Sequence, residues 1–558
     1  MGDRQPFSFP PGIVRKGSPA QMVGQWYEGN LVRWVEGVLR PVGGIERVNL
    51  LEDAPPQNPF TGFASTVRAT HIWMVGDLVY RAILCERHLY IMSQGGTIID
   101  ITPVDGISAP PVPEEGGYGD DIYYGAEGGL TDFTKLLPDE DPGPIAPIYA
   151  DPSGYGTPRP MRTPSVVLGH MWTLDNFGDL LVAMVSYDRR LLVWDANDPN
   201  SKAAEVVPTP EDISNVPPIV GGGVAPHGRF FVVSPERHVI VFNVDGKANR
   251  FVWCSQEDIH DWKYDNELNS AGYYDIEPSA PFITALPTRT GILAFTTSRS
   301  YLISYIGDPY FYSYTLLGYF NAPVSGHAIT RSASTAIWFA PDGFWQFDGV
   351  NIAPLSCTLL DYIQRTIDPI WSYRRMQAVY LGVQSELWFF YPERDAQENT
   401  HYVCYNFDEK WWSMGRLART CGSPGSTLSY PLLSDGDNLY YHEKGFAYAD
   451  APELPYAQSG AINVAKGGRK CTVRQGIVDT RAPAADVYFR IGATLDRIAD
   501  GTEITDIEMP LAIRRDGGKL DFRVTGRDVF VRIESARNGV EPWTFGEMLV
   551  KVFPRGGR

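Results

Sequence analysis

Around residues 338–441 the chain alternates between short apolar, aromatic-rich runs and polar breaks: IWFAPDGFWQFDG, ELWFFYPE, HYVCYNFDEKWWSMG and DGDNLYYHEKG. Each run of four to seven residues ends at Gly, Asp, Asn or Pro. This pattern predicts short strands joined by tight turns. At Pro341–Gly343 the proline presets φ and the glycine accepts a positive φ. FDG at Phe347–Gly349 and SDGD at Ser434–Asp437 repeat the device. One helical pattern interrupts, LLDYIQRT at Leu359–Thr366.

The same texture runs through most of the chain. Residues 7–47 predict a strand ended by Gly37, a second at Val38–Arg40, and a close at Gly43-Gly44. RHLYIMSQGGTIIDIT reads as strand, Gly-Gly turn, strand. β patterns resume at Met171–Asp195 and continue through RFFVVSPERHVIVFNVDG, FVWCSQEDIHDW and GILAFTTSRSYLISYIG.

Aligned by an aromatic or aliphatic run feeding a turn, the pieces form a repeat. Its landmarks are Leu89, Leu191, Val239, Tyr301, Phe344, Leu387 and Leu439, at intervals of 102, 48, 62, 43, 43 and 52 residues. Most intervals lie in the range of roughly 40–60 residues expected of propeller blades. The longest contains a 61-residue tract of different character, Val104–Pro164. The expected fold is all-β: a β-propeller of six or seven blades, with early strands free to complete the last one. A long loop insertion and a C-terminal antiparallel β-sandwich-like domain complete it. The expected segments are 1–48 (N-terminal arm and first strands), 49–103 (first propeller segment), 104–164 (insertion), 165–455 (remaining blades) and 456–558 (sandwich-like domain).

The insertion is rich in Gly, Pro and Tyr, with 11 acidic residues against Lys135, Arg159 and Arg162. Loops of this length within a domain are usually functional or disordered. Asp120, Asp121, Tyr123, Tyr124, Asp139, Glu140 and Asp141 are its candidate channel or gate residues. Tyr118, Tyr149 and Tyr155 are further candidates for packing on a neighbour. DEDP at Asp139–Pro142 lacks the spaced oxygen ligands of a calcium loop.

Composition sharpens this picture. With 44% hydrophobic and 20% charged residues, the 558-residue chain can bury a large core. Its formal charge of −18 argues against tight nucleic-acid binding. Acidic walls repel phosphate, so DNA can pass such a surface without sticking. Residues 456–558 carry 17 basic and 13 acidic residues, a net of +4, leaving −22 on the rest. That asymmetry would suit docking on an acidic neighbour.

The six cysteines form no CxxC, and the closest two are 17 apart, so buried thiols from a reducing compartment are expected rather than a zinc site. Neither a signal peptide nor a run of 18 apolar residues is seen, so the expectation is a chain made in the cytosol with no membrane span.

No nucleophile elbow, HExxH, P-loop or Rossmann fingerprint occurs. SQEDIHDW at Ser255–Trp262 is a poor match to an Asp box, since Asp258 comes one place late and the turn glycine is missing. It predicts a structural turn fixed by Asp258 and Asp261 over a buried Trp262. His227 and His238, 11 apart, are conceivable metal ligands but read better as structural histidines. The aromatics read mainly as blade core rather than as sugar-stacking surfaces. The expectation is no catalytic residue, cofactor or metal.

Three stretches carry a family resemblance: FPPGIVRKG…GQWYEGNLVRWVEGVLRPVGG (residues 9–44), FVWCSQEDIHDW (251–262) and PDGFWQFDG…LWFFYP…YVCYNFDEKWWSMGRLART…LYYHEKG (341–445). With the tail TGRDVFVRIES…WTFGEMLVKVFPRGGR, they make the chain similar to the tail nozzle, or tail hub, proteins of short-tailed bacteriophages, also described as packaged-DNA stabilisation proteins. The likeness spans most of the chain and omits the insertion. It implies a non-enzymatic virion protein of the tail, synthesised in the host cytoplasm. Such a protein forms a homohexameric ring below the portal and adaptor, beside tail fibre or needle proteins. The ring lines and closes the DNA exit channel, letting phage DNA pass without tight binding, and supports genome retention and ejection. The competing expectation is a tail-associated propeller glycosidase or depolymerase acting on host surface glycans. A lectin-like propeller is weaker still, because the landmarks share no polar residue.

Overall fold

The computed structural model describes residues 3–16, 24–52, 61–108, 169–206, 225–244, 247–264, 269–297, 299–319, 321–332, 335–424, 430–463, 470–481, 487–494, 506–507, 511–512, 519–536 and 542–554. Among them the regular secondary structure is nearly all strand, with two short helices, Leu360–Thr366 and Ser372–Arg375. None of the described helices is long and apolar enough to cross a membrane.

Among the described residues, seven four-stranded antiparallel sheets follow one another. The first is Val67–Val75, Leu78–Cys85, Leu89–Met92 and Thr97–Asp100, to which Leu51–Glu52 adds in parallel. The second is Trp172–Phe177, Leu180–Val185, Leu192–Asp195 and Ala204–Glu205. The third is Phe230–Val233, Val239–Val244, Lys247–Trp253 and Gly272–Asp275. The fourth is Phe282–Pro287, Ile292–Thr296, Ser300–Gly307 and Phe311–Gly318. The fifth is Ile329–Arg331, Ala336–Ala340, Gly343–Phe347 and Ile352–Leu355. The sixth is Gln377–Leu381, Glu386–Tyr391, His401–Asn406 and Trp412–Arg416. The seventh takes Cys421–Ser423, Leu432–Ser434 and Leu439–His442 and is completed by Ile45–Arg47 from the other end of the sequence. These are the blades of a β-propeller.

The turns follow the local chemistry. In FDG, the Asp348 carboxylate accepts the Val350 and Asn351 N–H groups at 2.9 and 2.7 Å, and Gly349 takes φ +100° between them.

The chain packs as two compact units, residues 51–342 with 346–353, and residues 1–50 with 343–345 and 354–558. In the 51–342 unit, the first strands of consecutive blades are neighbours: Val67–Val75 beside Trp172–Phe177, then Phe230–Val233, then Phe282–Pro287. The faces between blades are apolar. Trp73, Leu84 and Ile91 meet Trp172, Leu181 and Trp194 between blades one and two. Phe242, Phe251 and Trp253 meet Phe282, Ile303 and Tyr312 between blades three and four. Each large side chain so buried contributes roughly 1.5–3 kcal/mol, so sheets that are short individually are held by their faces.

In the other unit, two sheets are woven from both ends of the sequence. One runs Val32–Val35, Val38–Pro41, Thr544–Pro554, Cys471–Arg481, Lys519–Gly526, with Asp3–Phe7 also on Thr544–Pro554. The other runs Trp26–Asn30, Tyr456–Ser459, Asp528–Ser535, Val487–Thr494, Asp506–Ile507. Trp26 of the second sheet meets Phe545 of the first, ring centroids 5.8 Å apart. This is the sandwich-like domain expected at the C-terminus, and the N-terminal strands lie within both its sheets.

Candidate functional site

The third and fourth blades together form an open aromatic cleft. Ser300–Gly307 and Phe311–Gly318 are eight residues each, longer than the other strands of these blades. Their turn, Asp308–Tyr310, forms one wall. The opposite wall is Tyr264 and Tyr273, and Trp253 and Gly272 lie at the base. The cleft measures about 590 Å³, within the span of about 300–1,000 Å³ typical of small-ligand sites.

Each wall is fixed by interactions readable from the residues upward. SQEDIHDW forms the predicted structural turn. Ser255 N–H donates to Asp261 O at 2.7 Å, and His260 N–H donates to the Asp258 carboxylate at 2.9 Å. Trp262 is buried, its indole N–H on Ile259 O at 2.7 Å. The Asp261 carboxylate accepts Lys263 N–H at 3.1 Å and the Asn269 amide at 2.7 Å. Asn269 also donates to Lys263 O at 2.8 Å. Lys263 and Asn269, which flank Tyr264 in the sequence, are therefore tied to Asp261 and to each other.

Tyr273 meets the Tyr264 ring edge-on, centroids 4.9 Å apart, and the Arg250 guanidinium lies 4.5 Å from its own centroid. Arg250 is held by the Asp275 carboxylate through bonds of 2.6 and 2.8 Å. Those bonds hold the Asp275 carboxyl below the usual carboxylate range. At the base, Trp253 donates its indole N–H to Ser270 O at 2.7 Å, and its ring lies so close to Gly272 that a Cβ there would come 2.3 Å from Cζ2.

Behind this base, His238 is buried with Nε2 3.2 Å from Ser270 Oγ and Nδ1 3.1 Å from the Tyr312 hydroxyl. Tyr312 donates to Ser234 Oγ at 2.9 Å. Burial pushes His238 down to about 4, so it is neutral at ordinary pH. Tyr312 belongs to the hairpin, so this network ties the overhanging wall to the third blade. At the turn, Phe311 has φ +54° and Tyr312 N–H donates to Tyr310 O at 2.6 Å. A bulky residue held at positive φ marks local strain, which collects at ligand sites and switches.

The sequence assigned its aromatics mainly to core, and most of the described ones are buried. Tyr264, Tyr273 and Tyr310 are the exceptions that matter here, at 39%, 37% and 67% exposure. A signal was present: in DPYFYSY, Tyr310, Tyr312 and Tyr314 share one face of an alternating pattern and Phe311 falls on the other, so aromatic rings lie on both faces.

The predicted channel or gate residues Asp120, Asp121, Tyr123, Tyr124, Asp139, Glu140 and Asp141 lie outside the described residues. The two roots of that segment are described. Ser108 N–H donates to the Asp188 carboxylate at 3.1 Å, and Arg190 bonds Asp188, Asp105 and Gly106 O. Gly169 O accepts from Arg229, a buried cation that desolvation pushes down to about 9. His227 and His238 have separate partners, His227 pairing with Glu205 at 2.8 Å. Among the described residues, no group of three His, Cys, Asp or Glu is placed to hold a metal. All six cysteines are buried thiols.

No family model and no curated protein matches the chain. Solved structures similar to it include the WD40 domain of Neurospora crassa Pan2, at 8% identity and TM-score 0.34, covering 72% of this chain and 95% of that one. Kluyveromyces lactis Hsv2 is similar at 9% identity and TM-score 0.28, covering 73% and 98%. The β-propeller domain of Vanderwaltozyma polyspora Nup133 is similar at 10% identity and TM-score 0.27, covering 65% and 92%.

Proposed function

We propose that this chain is a structural virion protein: the subunit of a tail nozzle ring, homohexameric, set below the portal and adaptor of a short-tailed phage. It works without catalysis, lining and closing the DNA exit channel. It is made in the host cytoplasm and ends in the virion tail, beside fibre or needle proteins. The observation that carries this reading is how the resembling N-terminal motif is used. Between Trp26 and Pro41 it supplies strands to two sheets, pairing with Tyr456–Ser459 and Thr544–Pro554, and Ile45–Arg47 just beyond it pairs with Leu439–His442. Arg33 in its middle is buried between Glu386 and Glu443. A unit whose two chain ends are sewn into the same sheets resists being pulled open, as the wall of a pressurised channel must.

Charge supports the same reading. Six copies at −18 each carry a formal −108, and such a wall repels a phosphate backbone. Electron microscopy of the purified full chain at high concentration, with native mass spectrometry, tests the proposal. Sixfold rings that show no duplex-DNA retention at physiological salt are expected. A chain that stays monomeric at high concentration, or that hydrolyses a polysaccharide catalytically, would overturn it.

A further inference from the structure

We propose that the cleft between the third and fourth blades is a non-catalytic binding site for a neutral oligosaccharide. The described lining of the cleft comes from a single chain, so sugar binding and ring assembly are tested separately.

The argument begins with what faces the cleft. Tyr264, Tyr273 and Tyr310 are partly exposed aromatic rings on facing walls. An aromatic ring with a hydroxyl offers an apolar face and a polar tip. A pyranose has the matching surface, with a patch of C–H groups on one face and hydroxyls around its rim. Asp308 also lines the cleft and supplies a carboxylate beside the rings, while the Asn269 amide is held by Asp261 and Lys263 O. Few polar groups set among aromatic walls is the composition of an orienting small-ligand site.

Charge narrows the class. Neither Lys nor Arg is among the described residues lining the cleft, and Asp308 is acidic. An anionic glycan or a nucleic acid would meet an unfavourable potential. An organic cation is disfavoured for a different reason. The Arg250 guanidinium already lies 4.5 Å from the Tyr273 centroid and is fixed there by Asp275. A second cation drawn to the same ring would face that charge. An uncharged ligand meets neither obstacle.

The same lining separates binding from cleavage. Glycoside hydrolysis ordinarily needs two carboxyl groups flanking one bond, about 5–10 Å apart. Asp308 is the single carboxylate among the described lining residues. The site is also pre-formed: Asn269, Asp261, His238 and Tyr312 hold its walls through bonds within the protein. Rigid rings cost little ordering entropy on binding.

Trisaccharides of glucose, galactose, mannose and N-acetylglucosamine, titrated into the full chain, test this by saturation-transfer NMR and tryptophan fluorescence. At least one is expected to bind saturably with no release of new reducing ends. Tyr310→Ala should weaken that binding about tenfold, the equivalent of one lost stacking contact. Tyr310→Phe should retain most of it, and both variants should melt with the wild type because this ring is exposed. Asp308→Asn should change the ranking of the sugars. A panel with no saturable binder, or binding unaffected by Tyr310→Ala, would overturn the proposal. So would saturation of the same site by the proline-rich peptide SAPPVPEE, the sequence of residues 108–115, in place of every sugar, or accumulation of reducing ends.

Discussion

Arg33 and Glu386 stand 353 positions apart, and Arg33 Nη2 donates to Glu386 Oε2 over 2.9 Å. Arg33 also forks onto Glu443, at 2.9 and 2.6 Å. Glu386 further accepts the Trp388 indole N–H at 3.0 Å, and Glu443 accepts Gly43 N–H at 3.1 Å. The guanidinium is almost wholly buried, and burial alone would push it down. The two carboxylates outweigh that and raise it, so it stays charged. Glu386, wholly buried, is raised by desolvation despite Arg33. This triad holds the Val32–Val35 strand to the sixth and seventh blades.

Removing the cation leaves two carboxylates buried against each other. Arg33→Met is expected to destabilise its unit by about 3–5 kcal/mol. Arg33→Met with Glu386→Leu should recover part of that loss, because one uncompensated charge goes with its partner. Denaturant melts of the three proteins check this, and the loss should depend little on salt because the triad is buried.

A second test falls on Gly44. Its N–H donates to Gly445 O and its carbonyl accepts Lys444 N–H, both at 2.9 Å. A Cβ at this position would lie 2.5 Å from Lys444 O and 2.6 Å from Gly445 C, both backbone atoms that cannot swing away. Gly44→Ala should therefore push Ile45–Arg47 off the seventh blade, at a cost of about 2 kcal/mol or more. Faster proteolysis near residue 45, with a lowered melting temperature, is the readout.

The sign of the pH response follows from His238. Its folded value, about 4, lies below the ordinary 6.5, because burial penalises the imidazolium. The unfolded chain thus binds the proton more readily. The stability contribution is complete above about pH 6.5 and is lost as pH falls toward 4. His238→Gln should flatten this part of the curve. The wild type should lose roughly 1–2 kcal/mol more than the variant between pH 7 and pH 4.5. Parallel curves for the two proteins would contradict the assignment.

What was legible in the sequence was local. The turn at Phe347–Gly349, the helix near Leu359 and the strand alternation all follow from neighbours within a few residues. Each of the seven landmarks falls in a different blade, although Val239 and Leu387 open second strands and the others belong to the third-strand segments. The repeat therefore counted blades better than it aligned them. What was not legible depended on contacts across hundreds of residues. Nothing near Trp26 or Leu39 announces Tyr456–Ser459 or Phe545 as strand partners. Nothing near Arg33 announces Glu386. The cleft was hidden for a similar reason: Tyr264 and Tyr310 come from different blades, and only packing shows that both face solvent.

The thiols offer the last test. Disulfide exchange needs a thiolate and a path to it. Cys254 and Cys357 are buried, and burial pushes each up to about 12, so both protonation and access oppose reaction. The remaining four, Cys85, Cys404, Cys421 and Cys471, are also buried. In the native protein at pH 8, a thiol-reactive disulfide dye should therefore find no fast-reacting site. All six cysteines should react at once after denaturation. Because the six lie in both packing units, the slow native labelling should resolve into phases set by local or global opening. Arg33→Met should speed labelling of Cys404, which sits on the strand paired with that of Glu386, more than that of Cys254. Equal acceleration of both would mean that the triad does not hold its own unit.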